Sequence, residues 1–435
     1  MINLPDTGMA QAAALQFMLQ QHESMSSKRQ LINQSQVLNE LLSYCLKSVP
    51  YYSNHKIYQN LSSNMTWQDL PILTRKELQD NFDALQTTAD ISHHGECYEF
   101  KSSGSTGRPI RILTTDYAQI FWRAFTLRSH LWAKRDFSGK LAVIKQLPMD
   151  KYQYPGVTSD IWGASSASIF QTGPSYILSS SEPIETQYKW LCEKQPDYLT
   201  IYPSALLELS KIQLKEKKLH SIKGISTLGE SLPSSLRQLV FESFGVKIDD
   251  MYSSQEIGYM ALQCPKHDHY HIQIENCFLE ILDDNNKPCQ EGEMGRVIVT
   301  PYYNMKMPLI RYEVGDYAIM GGDCDCGITS PTLKRIIGRT RNLVTYPNGQ
   351  KSWPAYNPMA IMEEVSGAQF QIIQTSVNEL ILNIVSLDDI TQEKQQRIID
   401  IIQSAIGYPF EIKINIVNEI ERAKSGKFEE FISRI

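Results

Sequence analysis

Nine consecutive residues, Lys101-Ser102-Ser103-Gly104-Ser105-Thr106-Gly107-Arg108-Pro109, hold four hydroxyl side chains, two glycines and two cations. Small residues in a turn let several backbone N–H groups point at one object. The hydroxyls add donors, and Lys101 and Arg108 add positive charge. That is the chemistry of an oxyanion cradle suited to a polyphosphate. The loop is not a Walker loop: no Gly-Lys-Ser/Thr follows, and Pro109 closes it where a helix would begin. The same residues also read as a plain Ser/Gly hairpin loop.

Four further clusters carry chemistry-bearing side chains. In Tyr252-Ser253-Ser254-Gln255-Glu256-Ile257-Gly258 a carboxylate follows a predicted strand. Glu256 there can hold Mg²⁺, or it is a surface Glu in a turn. In Arg311-Tyr312-Glu313-Val314-Gly315-Asp316 a carboxylate in a tight turn suits two vicinal hydroxyls, or the segment is a solvated hairpin. Lys424-Ser425-Gly426-Lys427 presents a cation after a flexible hinge, or is a basic tail. Cys264 through His271 contains three histidines and lies 60 positions before Cys324-Asp325-Cys326. Cys264, Cys324 and Cys326 with one histidine would make a closed Cys₃His zinc site. His271 is the fourth ligand chosen and His267 the alternative. Free thiols are the other reading. Cys277 and Cys289 read as ordinary strand and turn residues, and Cys45, Cys97 and Cys192 as core.

These side chains need a scaffold. Residues 1–90 read as mostly helical, with Leu31, Leu38, Leu41, Leu42 and Cys45 at helical spacing. Thr74 with Glu77 forms a capping-box pattern for a short helix. Aromatics at 117, 121, 122 and 125 make a helical stripe, the commoner signature of core. Strands at 96–100, 110–114, 141–144, 198–202, 224–228 and 246–251 alternate with helices at 204–214, expected to be capped by Ser204, and 234–244. This alternation implies an α/β fold with crossover connections. From Cys277 onward, strands at 278–282, 295–300 and 317–320 suggest a small barrel-like β part. Beyond Gly338-Arg339 a β-β-α-β pattern suggests a small α+β unit. The expected organisation is a large N-terminal α/β domain, 1–338, with the Cys/His insert within 264–326, and a small C-terminal α+β domain, 339–435.

The chain has 435 residues, 42% hydrophobic and 21% charged, with a formal net charge of −6. That is a soluble globular composition with more than one core. It lacks the long basic run that nucleic acid would call for. No signal peptide or membrane span is expected, and the cysteine usage fits a reducing cytoplasm.

The order of these motifs resembles the adenylate-forming superfamily, the acyl- and aryl-CoA synthetases, over about residues 65–435. Tyr252–Gly258, Arg311–Asp316 and the Cys-rich insert are most similar to the phenylacetate–CoA ligase branch. The resemblance implies a carboxylic acid activated by ATP as acyl-AMP, with transfer to CoA. The alternatives are transfer to a carrier protein or an amine, or a non-catalytic nucleotide-binding regulator. It implies that Ser102, Ser103, Gly104, Ser105, Thr106 and Gly107 wrap the β- and γ-phosphates. Gly229, Glu230, Ser231, Met251 and Tyr252 would line the adenine, and Asp316 would hold the ribose hydroxyls. Arg339 would lie near ribose and phosphate, Glu256 would hold Mg²⁺, and Lys427 would bridge both substrates. Phe121, Trp122 and Phe125, with Tyr202, Pro203, Ser204 and Gly229, are pocket candidates whose aromatic character suits an aryl or arylacetic acid. The C-terminal domain would be a mobile lid. Arg341 stands where the family usually has an acidic or basic hinge residue, most often Asp in this branch, and Lys427-Phe428-Glu429-Glu430 lacks a further basic residue that relatives often carry. A homodimer is left open.

Overall fold

Short apolar strands separated by amphipathic helices dictate the first half of the sheet. The computed structural model of the protein describes residues 7–61, 66–101, 110–339, 343–352, 354, 360–361, 364–365, 369–386, 390–420 and 430–435. In it Ser175–Ser179, Leu141–Lys145, Tyr198–Ile201, Gly224–Leu228 and Ile248–Ser254 lie side by side and parallel. The helices Ile184–Lys194, Pro203–Glu216 and Ser234–Phe244 make the crossovers. Their inner faces supply Trp190, Leu191, Leu206, Leu209, Leu236 and Val240 to one core with Ala142, Ile144, Leu199 and Ile225. Parallel strands buried on both faces leave a crevice at their carboxyl ends, which is where this fold class binds ligands.

The sheet does not stop at Ile248–Ser254. That strand folds back through Gln255–Ile257 into the antiparallel Gly258–Gln263. Beyond it, in spatial order, come Tyr270–Ile272, Thr332–Arg339, Tyr312–Met320, Met294–Pro301 and Cys277–Leu282. The strands expected as a small barrel-like part thus extend the same sheet, which has 12 strands among the described residues.

Arg311, from the third sequence cluster, ties this half together. Its guanidinium makes a two-pronged pair with Glu280, Nε to Oε2 at 3.0 Å and Nη2 to Oε1 at 3.1 Å. Nη1 donates to the carbonyls of Gln68 and Leu70 at 2.6 and 2.5 Å. Arg311 is 1% exposed, so this side chain is a clasp and not a ligand contact. The segment it grips runs alongside as a parallel bridge. Leu73 N–H donates to Arg311 O, and Glu313 N–H donates to Leu73 O, both at 2.9 Å.

Two reassignments have simple causes. Ser204 does not cap its helix: Pro203 occupies the first helical position, so Tyr202 is the cap residue. Cys97 is exposed, because Cys97–Lys101 pairs only with Arg111–Thr115 in a two-stranded hairpin. The C-terminal pattern is as expected. Phe370–Gln374, Glu379–Ile384, the helix Gln392–Ile406 and Glu411–Ile416, joined by Phe431–Ser433, form a four-stranded sheet with its own buried cluster. Among the described residues no helix is long and apolar enough to cross a membrane.

Replacing Arg311 by Leu strands the Glu280 carboxylate in the interior. The expected loss is about 3–5 kcal/mol of stability, read as a lower urea midpoint, with most of it recovered in the Arg311→Leu/Glu280→Leu double variant.

Candidate active site

At the end of the parallel half, three elements converge on one carboxylate. Asp316 is buried, and the Tyr252 hydroxyl donates to its Oδ2 at 2.8 Å. Arg339 Nε lies 3.2 Å from its Oδ1. Asp316 and Arg339 are direct cross-strand partners, so the antiparallel register itself makes the pair. Arg339 Nη1 also donates to Val314 O at 3.2 Å. Gly315, with φ +86°, supplies the left-handed turn beside it. The Asp316 charge raises the Arg339 pKa above its ordinary value. Burial, then Asp316, holds the Tyr252 phenol well above its own. Tyr252 therefore stays a neutral donor, and Asp316 keeps acceptor capacity for hydroxyl donors.

Glu256 is buried in the turn between Ile248–Ser254 and Gly258–Gln263, within electrostatic reach of Arg339 and Tyr312. A buried carboxylate beside a crevice edge is a hard-cation ligand by its chemistry. Ser231 Oγ donates to Ile337 O at 3.1 Å, which ties the turn after Gly224–Leu228 to the strand carrying Arg339. That approach explains Gly338: a Cβ there would fall 2.1 Å from Ser231 Oγ, and φ is +93°. Glu230 is held at the start of a helix. It accepts from Ser204 N–H at 2.8 Å and from Ser204 Oγ at 3.1 Å, capping the helix Pro203–Glu216. Tyr202, whose hydroxyl accepts from Gln146 N–H at 3.1 Å, and Gly229 end adjacent strands on this edge. Met251 lies beside Leu228 and Leu262 in the sheet and packs with Phe125 and Tyr259.

Arg75 was missed by reading motifs. The Thr74–Glu77 capping box forms as predicted, with Thr74 N–H and Oγ1 donating to Glu77 Oε2 at 2.8 and 2.7 Å. It starts the helix Arg75–Asp80 beside Tyr312. There Arg75 stands within electrostatic reach of Tyr312, as do Glu256, Arg339 and Asp316. Its Nε and Nη2 are enclosed with no hydrogen-bond partner among the described residues. Two enclosed guanidinium nitrogens without partners call for an anion. The signal in the sequence was an arginine one residue after a cap, which is too common to single out.

The aromatic stripe divides. Phe121 stacks on Tyr303 with ring centroids 3.3 Å apart, and Trp122 tilts against Tyr259 at 5.3 Å. Phe125 is wholly buried with Leu19, Ala124, Tyr259 and Leu262. Ser102, Ser103, Gly104, Ser105, Thr106, Gly107, Arg341 and Lys427 lie outside the described residues.

The cysteine cluster assembles. Ligand atoms of Cys264, His271, Cys324 and Cys326 all lie within 4.8 Å of one another. Cys264 Sγ and Cys324 Sγ are 3.8 Å apart, and Cys326 Sγ is 3.2 Å from His271 Nε2. Tetrahedral Zn–S bonds of about 2.3 Å place two sulfurs at about that first separation. Each sulfur accepts a backbone N–H two residues on, from Lys266, Cys326 and Ile328, each at 3.4 Å. His271 Nδ1 faces Ser330 O at 3.3 Å, which leaves Nε2 for a metal. Burial lowers the His271 pKa to about 4, so the ring is held neutral, the ligating form. His267 instead meets Asp325 Oδ1 at 2.6 Å on the exposed side.

This fold is shared with solved CoA ligases. It superposes on a 2-hydroxyisobutyryl-CoA ligase in its postadenylation state with R3-HIB-AMP, at TM-score 0.70 and 18% identity, over 95% of this chain and 91% of the other. In sequence the chain is similar to phenylacetate–coenzyme A ligases and to a CapK protein. The phenylacetate–coenzyme A ligase of Thermus thermophilus is 30% identical over 120 residues, 26% of this chain and 27% of that protein, so the shared stretch spans about a quarter of the relative. Protein CapK of Staphylococcus aureus is 22% identical over 425 residues, 92% of this chain and 89% of its own length. The CapK C-terminal domain family matches residues 357–434.

If Arg75 is kept for an anion, removing it separates stability from binding. Arg75→Met is expected to leave the ligand-free melting temperature unchanged or higher, and to weaken ATP about 10–100-fold by titration calorimetry.

Proposed function

We propose that this protein is an ATP-dependent ligase that activates a carboxylic acid as its acyl-adenylate and transfers the acyl group to CoA, releasing AMP and pyrophosphate. The observation that carries the reading is the Asp316 carboxylate, fixed by Tyr252 and Arg339 at the crevice of an adenylate-forming fold. Asp316 accepts from the two ribose hydroxyls. Gly229–Ser231 and Met251–Tyr252 line the adenine. The acid's oxygen attacks the α-phosphorus as the bond to pyrophosphate breaks. A thiol sulfur then attacks the acyl carbon and AMP departs with the bonding pair. Charge builds on phosphoryl oxygens in the first step, so cations fixed beforehand lower the barrier. Arg339 and Arg75 are such cations among the described residues. Ser102–Gly107 clasp the β- and γ-phosphates, and Lys427 bridges the two substrates. Glu256 would hold Mg²⁺, which supplies charge neutralisation on those same oxygens.

Phe121, Trp122 and Tyr202 support an aryl or arylacetic acid as substrate, since flat apolar walls suit a flat apolar acid. Residues 339–435 act as a lid that turns at Arg341 between half-reactions. Cys264, His271, Cys324 and Cys326 hold a structural zinc. Its place in the fold explains the need: Thr329, three residues after Cys326, donates its Oγ1 to Met25 O at 2.7 Å and accepts from Gln30 Nε2 at 2.8 Å. The metal would therefore anchor the N-terminal helices Thr7–Glu23 and Ser27–Ser48 to the sheet.

A hydroxylamine-trapped adenylation screen over aryl and fatty acids tests the reaction. An active acid is expected in wild type, with a loss of about a hundredfold or more in folded Lys427→Ala. Pyrophosphate release with no acid in the panel, or full exchange in the variant, contradicts it. Elemental analysis should find one zinc per chain and near none in Cys324→Ser, whose melting temperature falls.

A further inference from the structure

Glu256 is buried, and among the described residues no hydrogen bond reaches its carboxylate. The backbone of its turn must therefore place it. Asn276 grips that turn from the segment 273–276, which joins Tyr270–Ile272 to Cys277–Leu282. Its buried Nδ2 donates to Tyr259 O at 2.8 Å and, more weakly, to Ile257 O at 3.4 Å. The two carbonyls flank Gly258, whose φ is +89°. A Cβ at 258 would lie 3.3 Å from the same Nδ2 and 3.7 Å from Trp122 Cε3, so the amide and the indole both close on the backbone of the turn. Asn276 is in turn held from the helix Asp116–Trp132. Arg128 on that helix, 3% exposed, makes a two-pronged pair with Glu275, Nη1 to Oε2 at 3.1 Å and Nη2 to Oε1 at 2.9 Å. Nη1 also donates to Gln273 Oε1 at 2.9 Å, and Nη2 to Leu19 O at 2.7 Å. Backbone bonds complete the frame: Asn276 N–H donates to Gln273 O at 2.8 Å, and Gln273 N–H to Met260 O at 2.9 Å. A planar guanidinium that grips two residues of one segment fixes its orientation as well as its distance.

We propose that Asn276 is a positioning residue for the adenylation step: it holds the turn that carries Glu256, and Arg128 holds Asn276 to the helix that carries Trp122. The proposal rests on the reading of Glu256 as the Mg²⁺ ligand. The octahedral geometry of that ion tolerates little displacement of a ligand. A carboxylate that moves with a loose turn would be ordered anew at each binding event, whereas one on a turn already fixed is not. Because Trp122 and Arg128 share one helix, the same frame also sets the distance between Glu256 and the aromatic stripe.

The test uses the whole chain without any acid, so it is independent of the adenylation screen. Titration calorimetry of ATP with and without Mg²⁺ gives the factor by which the ion tightens the nucleotide. Wild type is expected to show a factor of about ten or more, and Glu256→Gln to lose it. Asn276→Ala should lose most of that factor while its Mg²⁺-free ATP affinity stays within about twofold of wild type. Arg128→Lys keeps the cation and loses the two-pronged grip. It should lose about threefold of the factor, which keeps the test decisive if Asn276→Ala does not fold. In the ligand-free protein, hydrogen exchange of a peptide covering 253–262 should quicken about tenfold in Asn276→Ala, with strands 141–145 and 297–300 unchanged as the folding control. An Asn276→Ala turn that exchanges as in wild type overturns the proposal. So does a full Mg²⁺ factor in Asn276→Ala where Glu256→Gln has lost it, or a loss of ATP affinity that is the same with and without Mg²⁺. A factor kept in Glu256→Gln overturns the reading of Glu256 itself, and the proposal with it.

Discussion

A buried carboxylate cannot be left alone, and much of this molecule follows from how Asp316 is kept company. Its partners come from two other strands, Tyr252 from the end of the parallel half, some sixty residues earlier, and Arg339 from the end of the next strand in the chain. The continuous sheet makes that meeting possible, because it carries the antiparallel strands round to the carboxyl edge of the parallel ones. Unpaired, the carboxylate would cost several kcal/mol to bury. Paired, it is an acceptor held in one place, which is what recognition of two adjacent hydroxyls requires.

The motif residues share out support and chemistry. Arg311 belongs to the same six-residue stretch as Asp316, yet it faces the opposite side and binds Glu280 and two carbonyls of the N-terminal segment. That clasp brings Leu73 alongside Arg311–Glu313 and sets Arg75 beside Tyr312. Glu230 likewise supports the site by capping a helix. Two of the conspicuous residues thus hold the frame, and the inconspicuous Arg75, near Tyr312, has two guanidinium nitrogens without partners among the described residues.

Much of the frame is legible from periodicity and capping. The Thr74–Glu77 box, the strand–helix alternation and the C-terminal β-β-α-β pattern are local signals, and local physics decides them. The Cys/His cluster is legible because Cys-x-Cys sets two candidate ligands and the third cysteine has few alternatives; the sequence reading prefers His271 to His267, and the sheet buries the first and leaves the second exposed. What stayed hidden depends on distant backbone. The task of Arg311 is written in carbonyls of Gln68 and Leu70, which carry no side-chain signature. Ser204 resembled a cap until Pro203 took the first helical position. Cys97 resembled core because an apolar-leaning strand does not reveal whether a second layer covers it. The serine-rich strand Ser175–Ser179, absent from the sequence reading, is buried all the same because strands flank it on both sides.

The central claim is that Asp316 reads ribose. Titration calorimetry of AMP and of its 2′,3′-dideoxy analogue against wild type and Asp316→Ala measures it directly. The account predicts that wild type prefers AMP by about 10–100-fold and that the preference disappears in the variant. An Asp316→Ala protein that is folded and still prefers AMP by the same factor would contradict it.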